Sequence, residues 1–219
     1  MPNPDWTKFD TILLDMDGTV LDLAYDNHFW RELVPRSLAT QRGEPLVPTR
    51  ADLFTRYAQK QGQLDWYCLD FWSEELGMDL HAMKSMSSHR IRYLPGAREF
   101  LAAAKRSGKH VVLVTNAHGH TLAVKRAVAG LDIFFEHFIS SHDLGFAKEQ
   151  PEFWPALQDR LAFDVEATLF IDDSVPVLDA ASRFGIRATV AIRQPDSREG
   201  TRETHGHKGI DGLSDLLNR

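Results

Sequence analysis

Five short, dense apolar runs punctuate this chain, at 11–15, 110–115, 137–140, 168–171 and 187–192, each rich in Val, Ile, Leu or Phe. Runs of that length with no alternation predict strands buried on both faces. Between the later runs the apolar spacing lengthens to that of amphipathic helices, at 97–107, 120–130, 151–163 and 175–184. Pro95-Gly96 opens the first of these, Gly108 stops it, and Gly185 ends the last, the punctuation expected of helix termini. Strand and helix in alternation predict an α/β chain whose parallel sheet is covered on both faces.

One interval breaks the rhythm. From 22 to 93 there is no convincing strand, only helical patterns at 29–42, 49–61, 64–76 and 80–92. A stretch of about 70 residues is too long for a simple crossover and long enough for a compact bundle entered and left at two nearby points. The expectation is a helical cap at 22–93, with a core formed by 1–21 and 94–219; an ordinary helical excursion beside the sheet is the alternative. Residues 194–209 are polar and turn-rich and read as a surface loop, its His205 and His207 as solvated side chains. A short amphipathic end follows at 213–217.

Composition narrows the partners. In 219 residues, 25 Lys and Arg stand against 31 Asp and Glu, a net charge of -6 without a basic stripe, which argues against a nucleic acid polymer. Cys68 is the sole cysteine, so no intrachain disulfide can form, and a small buried apolar role suits it better than nucleophilic chemistry. The first residues have neither a basic head nor an apolar stretch, and no run reaches the length of a membrane span. A cytoplasmic protein without membrane partners is expected.

The chemistry collects where the apolar runs end. Asp15-Met16-Asp17-Gly18-Thr19 closes the first run, Thr115-Asn116 the second, and Asp172-Asp173 the fourth, while Lys148 stands in the loop after Gly145. The carboxyl ends of parallel strands are where open α/β sheets place ligands. Two carboxylates about 4 Å apart repel by roughly 4 kcal/mol at an effective dielectric near 20, so such a pair calls for a cation. A phosphate monoester dianion makes the same demand of any anionic nucleophile. The expected site is therefore a magnesium-dependent phosphate site. Asp15 would attack phosphorus, and Asp17 would protonate the leaving oxygen and later take a proton from water. Asp15, Asp17 (through its backbone carbonyl), Asp173 and Asp172 would supply hard oxygen ligands to Mg²⁺. Thr115 and Lys148 would hold the transferring group.

In order and spacing, these four motifs resemble those of the haloacid dehalogenase superfamily of phosphohydrolases. The resemblance implies a Rossmann-like three-layer core with a five-stranded parallel sheet and a helical cap inserted after the first motif. Two departures stand out: Lys148-Glu149-Gln150-Pro151 delays the proline that usually follows the lysine, and Val177 stands where many relatives carry Asp or Asn, with Asp179 beyond. Asp17 itself favours phosphoryl transfer over carbon–halogen cleavage. Residues 14–24, Asn27, Phe29-Trp30, 66–70, Trp72-Ser73-Glu74 and 115–118 further resemble the bacterial GMP/IMP 5′-nucleotidase group, which implies a purine 5′-monophosphate as substrate. Thr115, Asn116, His118, Asn27 and Lys148 are then the candidate substrate contacts, with His28 and Arg31 as further donors. Phe29, Trp30, Trp66, Tyr67, Phe71 and Trp72 could form a stacking surface or a helical core. A sugar phosphatase or phosphoglycolate phosphatase would share the core and differ in the cap. A phospho-aspartate receiver domain would place its acidic pair before the phosphorylated aspartate, the reverse of the order here, and would lack the insertion.

Overall fold

The computed structural model describes residues 4–217, so the extreme ends of the expected core, 1–3 and 218–219, lie outside the described residues. Six parallel strands form one sheet in the order β3-β2-β1-β4-β5-β6. They are β1 (Thr11–Leu14), β2 (His110–Thr115), β3 (His137–Ser140), β4 (Thr168–Asp172), β5 (Ala188–Ile192) and β6 (Lys208–Ile210). The first five lie where the apolar runs predicted them. The sixth corrects the five-stranded expectation: Lys208-Gly209-Ile210 pairs with Val190, Ala191 and Ile192, but three residues with one apolar side chain carry no readable strand pattern.

Alternate side chains of each central strand feed two cores. Ile12, Leu14, Val111, Leu113, Leu169 and Ile171 face Phe100, Leu101 and Leu122 from the helices Ala97–Arg106 and Gly119–Ala129. Leu13, Val112, Val114 and Phe170 face Trp154, Leu157, Leu178 and Ala181 from Phe153–Leu161 and Val175–Phe184. This is a three-layer α/β architecture. Because β1 lies between β2 and β4, the sheet changes direction of winding there, and the crevice at such a reversal is where this class of fold binds ligands. Asp15 leaves β1 and Asp172 ends β4, so both carboxylates arrive at that crevice.

From Ala24 to Arg90 the chain is a series of helices joined by short turns, and these pack their own core of Phe29, Val34, Leu38, Leu53, Leu69, Trp72 and Leu80. Entry and exit lie side by side: Leu21 bridges Tyr93, the Asp22 amide donates to the Arg92 carbonyl at 2.9 Å, and that of Leu94 to the Val20 carbonyl at 3.0 Å. The expected helix at 29–42 begins earlier and carries a π-type turn, as Ala24–His28, Phe29–Leu33 and Val34–Arg42. Pro35 has no amide to donate, and a widened turn before it accommodates its ring. The pattern at 64–76 is split into Leu64–Tyr67 and Leu69–Leu76, where Cys68 takes an extended backbone and its sulfur accepts the Phe71 amide. Cys68 is thus a helix cap. Among the described residues, no helix is long and apolar enough to cross a membrane.

Candidate active site

Asp15, Asp17, Asn27, Thr115, Asn116, His118, Lys148, Asp172 and Asp173 all line one cavity of about 650 Å³ between the sheet edge and the inserted helices. That volume suits a ligand of nucleotide size. At its floor the buried Lys148 ammonium donates to Asp15 Oδ1 at 2.6 Å, to Asp172 Oδ2 at 2.7 Å and to the Val114 carbonyl at 3.1 Å. One cation thereby joins the ends of β1, β2 and β4. Its own loop is held by Asn116, whose Oδ1 accepts the Lys148 amide at 2.9 Å, and by Trp154, whose indole donates to the Lys148 carbonyl at 3.0 Å.

Glu149, in the place of the usual proline, has a use. It accepts from Asn116 Nδ2 at 2.9 Å and from the hydroxyl of Tyr67, so the lysine loop is tied to the inserted helices. Gln150 Oε1 accepts the Ala147 amide at 2.7 Å and closes the turn. At the other departure, Val177 is buried in the core and Asp179 instead meets His207 at 2.8 Å. The His-x-His pair is therefore partly structural: His207 also contacts Thr189, while His205 stays exposed.

Carboxylate oxygens of Asp15, Asp172 and Asp173 lie within 4.8 Å of one another. Asp15 Oδ2 is buried without a hydrogen-bond partner. Burial pushes the Asp15 carboxyl up to about 7 against the pull of Lys148, with Asp172 adding to the rise. Burial likewise raises Asp172 and, with Asp172 and Asp15 beside it, raises Asp173 well above the ordinary range. A converging set of hard oxygens with one unpartnered buried atom and an excess of negative charge fits a divalent cation of the Mg²⁺ class. Gly18 makes the close approach possible, since its φ of +91° lies in the left-handed region and an added Cβ would stand 2.7 Å from Asp173 Cγ.

The remaining expected contacts divide. Thr115 Oγ1 accepts the Ala117 amide at 3.0 Å and shapes the loop beyond β2. His118 lines the cavity and meets Asp70 at 3.3 Å, and Asp70 also meets His81 at 2.6 Å. Burial lowers the His118 pKa against the attraction of Asp70. Asn27 donates to Asp196 at 2.6 Å. Of the aromatic residues, Trp30, Trp66, Tyr67 and Trp72 reach the cavity, whereas Phe29 and Phe71 do not line it. Arg31 lines it; His28 does not and pairs with Glu32.

Sequence reasoning missed four charged participants. Arg202, from the stretch read as a plain surface loop, reaches Asp173 at 3.4 Å. The buried Lys125 and Lys84 form an ion-pair row with the half-buried Asp26 and Asp17. Tyr57, at the centre of edge-on contacts with Trp30, Trp66 and Trp72, was also missed. A lysine within an amphipathic helix looks like a solvated face, and only the fold brings it against a carboxylate.

Comparison with known proteins bears on the family and the fold. Residues 9–185 match the family model described as haloacid dehalogenase-like hydrolase. The chain is 42% identical over 217 residues to the GMP/IMP nucleotidase YrfG of Escherichia coli (strain K12), covering 98% of this chain and 97% of that protein. A crystal structure of a HAD phosphatase from Thermococcus onnurineus superposes with a TM-score of 0.81 at 19% identity, over 94% of this chain and 95% of that one. The magnesium-bound HAD hydrolase YfnB of Bacillus subtilis superposes at 0.69 with 21% identity, over 96% and 97%.

Proposed function

The chain belongs to the haloacid dehalogenase-like hydrolases, and we propose that it is a magnesium-dependent 5′-nucleotidase that converts GMP or IMP to the nucleoside and phosphate. The observation that carries the mechanism is the Lys148 clasp on Asp15 and Asp172 beside the unpartnered Asp15 Oδ2. The substrate reading rests on the full-length similarity to a GMP/IMP nucleotidase, which includes the inserted helices.

Asp15, Asp173 and Asp172, with the backbone carbonyl of Asp17, would hold Mg²⁺, which when bound supplies positive charge to the phosphoryl oxygens. Lys148 neutralises Asp15 and steadies it for attack. A carboxylate oxygen of Asp15 forms a bond to phosphorus as the ester P–O bond breaks, and Asp17 gives a proton to the departing 5′ oxygen. Water then attacks the aspartyl-phosphate while Asp17 takes its proton, the Asp15–phosphorus bond breaks, and phosphate leaves. Amides and the hydroxyl at Thr115 and Asn116 receive the phosphoryl oxygens.

The inserted helices act as the cap that selects the ester. Trp30 and Trp66 offer ring surface to a purine, and stacking of this kind is worth about 1–3 kcal/mol. Asn27, Arg31 and His118 supply polar contacts to base or ribose. A panel of phosphate esters assayed with Mg²⁺ tests the reading: the expected ranking puts GMP and IMP above pyrimidine nucleotides, sugar phosphates and phosphoglycolate. A clear preference for a sugar phosphate would remove the nucleotidase assignment and leave the mechanism standing.

A further inference from the structure

Beside the Lys148 cluster lies a second set of charges, two half-buried carboxylates and two buried ammonium groups, in which the signs alternate along a row: Asp17, Lys125, Asp26, Lys84. Lys125, on Gly119–Ala129, is 1% exposed and donates to Asp17 Oδ1 at 2.5 Å and to Asp26 Oδ2 at 2.6 Å. Lys84, from the inserted helix Leu80–Met86, is equally buried and donates to Asp26 Oδ1 at 2.5 Å. Tyr25 braces both cations: its ring centre is 5.2 Å from the Lys125 ammonium and 4.5 Å from that of Lys84, and its hydroxyl donates to the Lys84 carbonyl at 2.9 Å. Burial alone would raise Asp26, but Lys125 and Lys84 outweigh it and bring its carboxyl down to about 2.

Buried ion pairs are seldom a net source of stability, because desolvation offsets their attraction. Asp17, Asp26 and Lys84 line the reaction cavity, and Lys125 is buried against the two carboxylates, a placement that calls for another reason. Asp15 and Asp17 are two residues apart and both enter the cavity, yet each touches a different ammonium: Asp15 meets Lys148, and Asp17 meets Lys125. The two cations keep the neighbouring carboxylates in separate places and separate roles.

We propose that Lys125 is a positioning residue for proton transfer, holding Asp17 by Oδ1 so that its other oxygen meets the ester oxygen, and that Asp26 and Lys84 tie this hold to the seating of the inserted helices. The inference rests on the reading of Asp17 as the acid-base group. It assigns a distinct task to a residue outside the four motifs.

The test compares kcat/KM for GMP, whose alkoxide needs a proton to leave, with that for 4-nitrophenyl phosphate, whose phenolate does not. Lys125→Met should lower the value for GMP about 100-fold, within the range of general acid catalysis, and that for the aryl ester less than tenfold. Lys125→Arg should recover much of the GMP rate. Equal losses on both esters, or no loss on either, from a variant with the wild-type circular dichroism spectrum would overturn the proposal. If the methionine variant does not fold, Lys125→Gln, which keeps a donor, reads the same ratio. Wild-type protein that cleaves the aryl ester but not GMP would refute the nucleotide reading alone; the ratio is then taken with whichever alkyl phosphate it does turn over.

Discussion

Replacing Lys148 by Met should destabilise the protein in a manner that depends on pH. The side chain is 2% exposed and fills its site with an apolar stem, so methionine keeps much of the volume and removes the charge. Asp15 and Asp172 then face one another in the interior without the ammonium that sits 2.6 and 2.7 Å from them. Breaking a buried pair in this way costs about 3–5 kcal/mol. For a chain of this size each kcal/mol moves the melting temperature by roughly 2–4 °C, so a fall of about 6–20 °C is expected at pH 8 without added metal. The sign of the pH effect follows from Asp15, whose carboxyl is raised by burial from 3.8 to about 7 in the fold and loses the opposing pull of Lys148 in the variant. A carboxyl with a folded value above its unfolded one gains stability as pH falls through the folded value toward the unfolded one, and loses it as pH rises again. The gap between variant and wild type should therefore narrow from pH 8 to pH 5. Thermal unfolding of both proteins at the two pH values measures it. A variant melting within about 2 °C of wild type at pH 8, less than 1 kcal/mol on the same scale, or a gap that widens at pH 5, would refute the reasoning.

Two substitutions probe the metal-facing turn. Gly18→Ala places a Cβ 2.7 Å from Asp173 Cγ on a backbone at φ +91°. Left-handed backbone costs a non-glycine residue about 1–2 kcal/mol, so the melting temperature should drop and the Mg²⁺ concentration for half-maximal activity should rise; an alanine variant indistinguishable in both would contradict the close packing described here. Asp173→Asn removes a ligand charge and should raise the half-maximal Mg²⁺ concentration by at least about tenfold. A metal titration curve superimposable on that of wild type would exclude Asp173 from the metal site.

Most of the sheet was legible because a strand buried on both faces must be apolar at every position, as Ile12-Leu13-Leu14 and Val111-Val112-Leu113-Val114 are. That Asp15, Thr115, Asp172 and Asp173 would meet was legible because strand ends at a winding reversal converge, whereas Lys148 reaches them from a loop held by Asn116 and Trp154. Where local sequence does not determine the partner, reading failed. β6 draws its stability from pairing with β5 and packing Ile210, not from a pattern of its own. Arg202 acts through a loop whose composition says only that it is polar. The same limit hid Lys125, since neutralisation by Asp17 and Asp26 is a property of the fold. Aromatic residues at helical spacing proved divided: Phe29 is fully buried in the helical core, Trp72 belongs to that core while reaching the cavity wall, and Trp30 and Trp66 pack against it from the cavity side.

The most direct test of the account is to look for the phosphoryl group on Asp15. Protein mixed with GMP and Mg²⁺, quenched in acid within the first turnovers and digested, should yield one peptide carrying a phosphoryl adduct on Asp15, absent from Asp15→Asn, which should also have lost turnover. An adduct on another residue, or near-normal hydrolysis by Asp15→Asn, would contradict the nucleophile on which the site has been built.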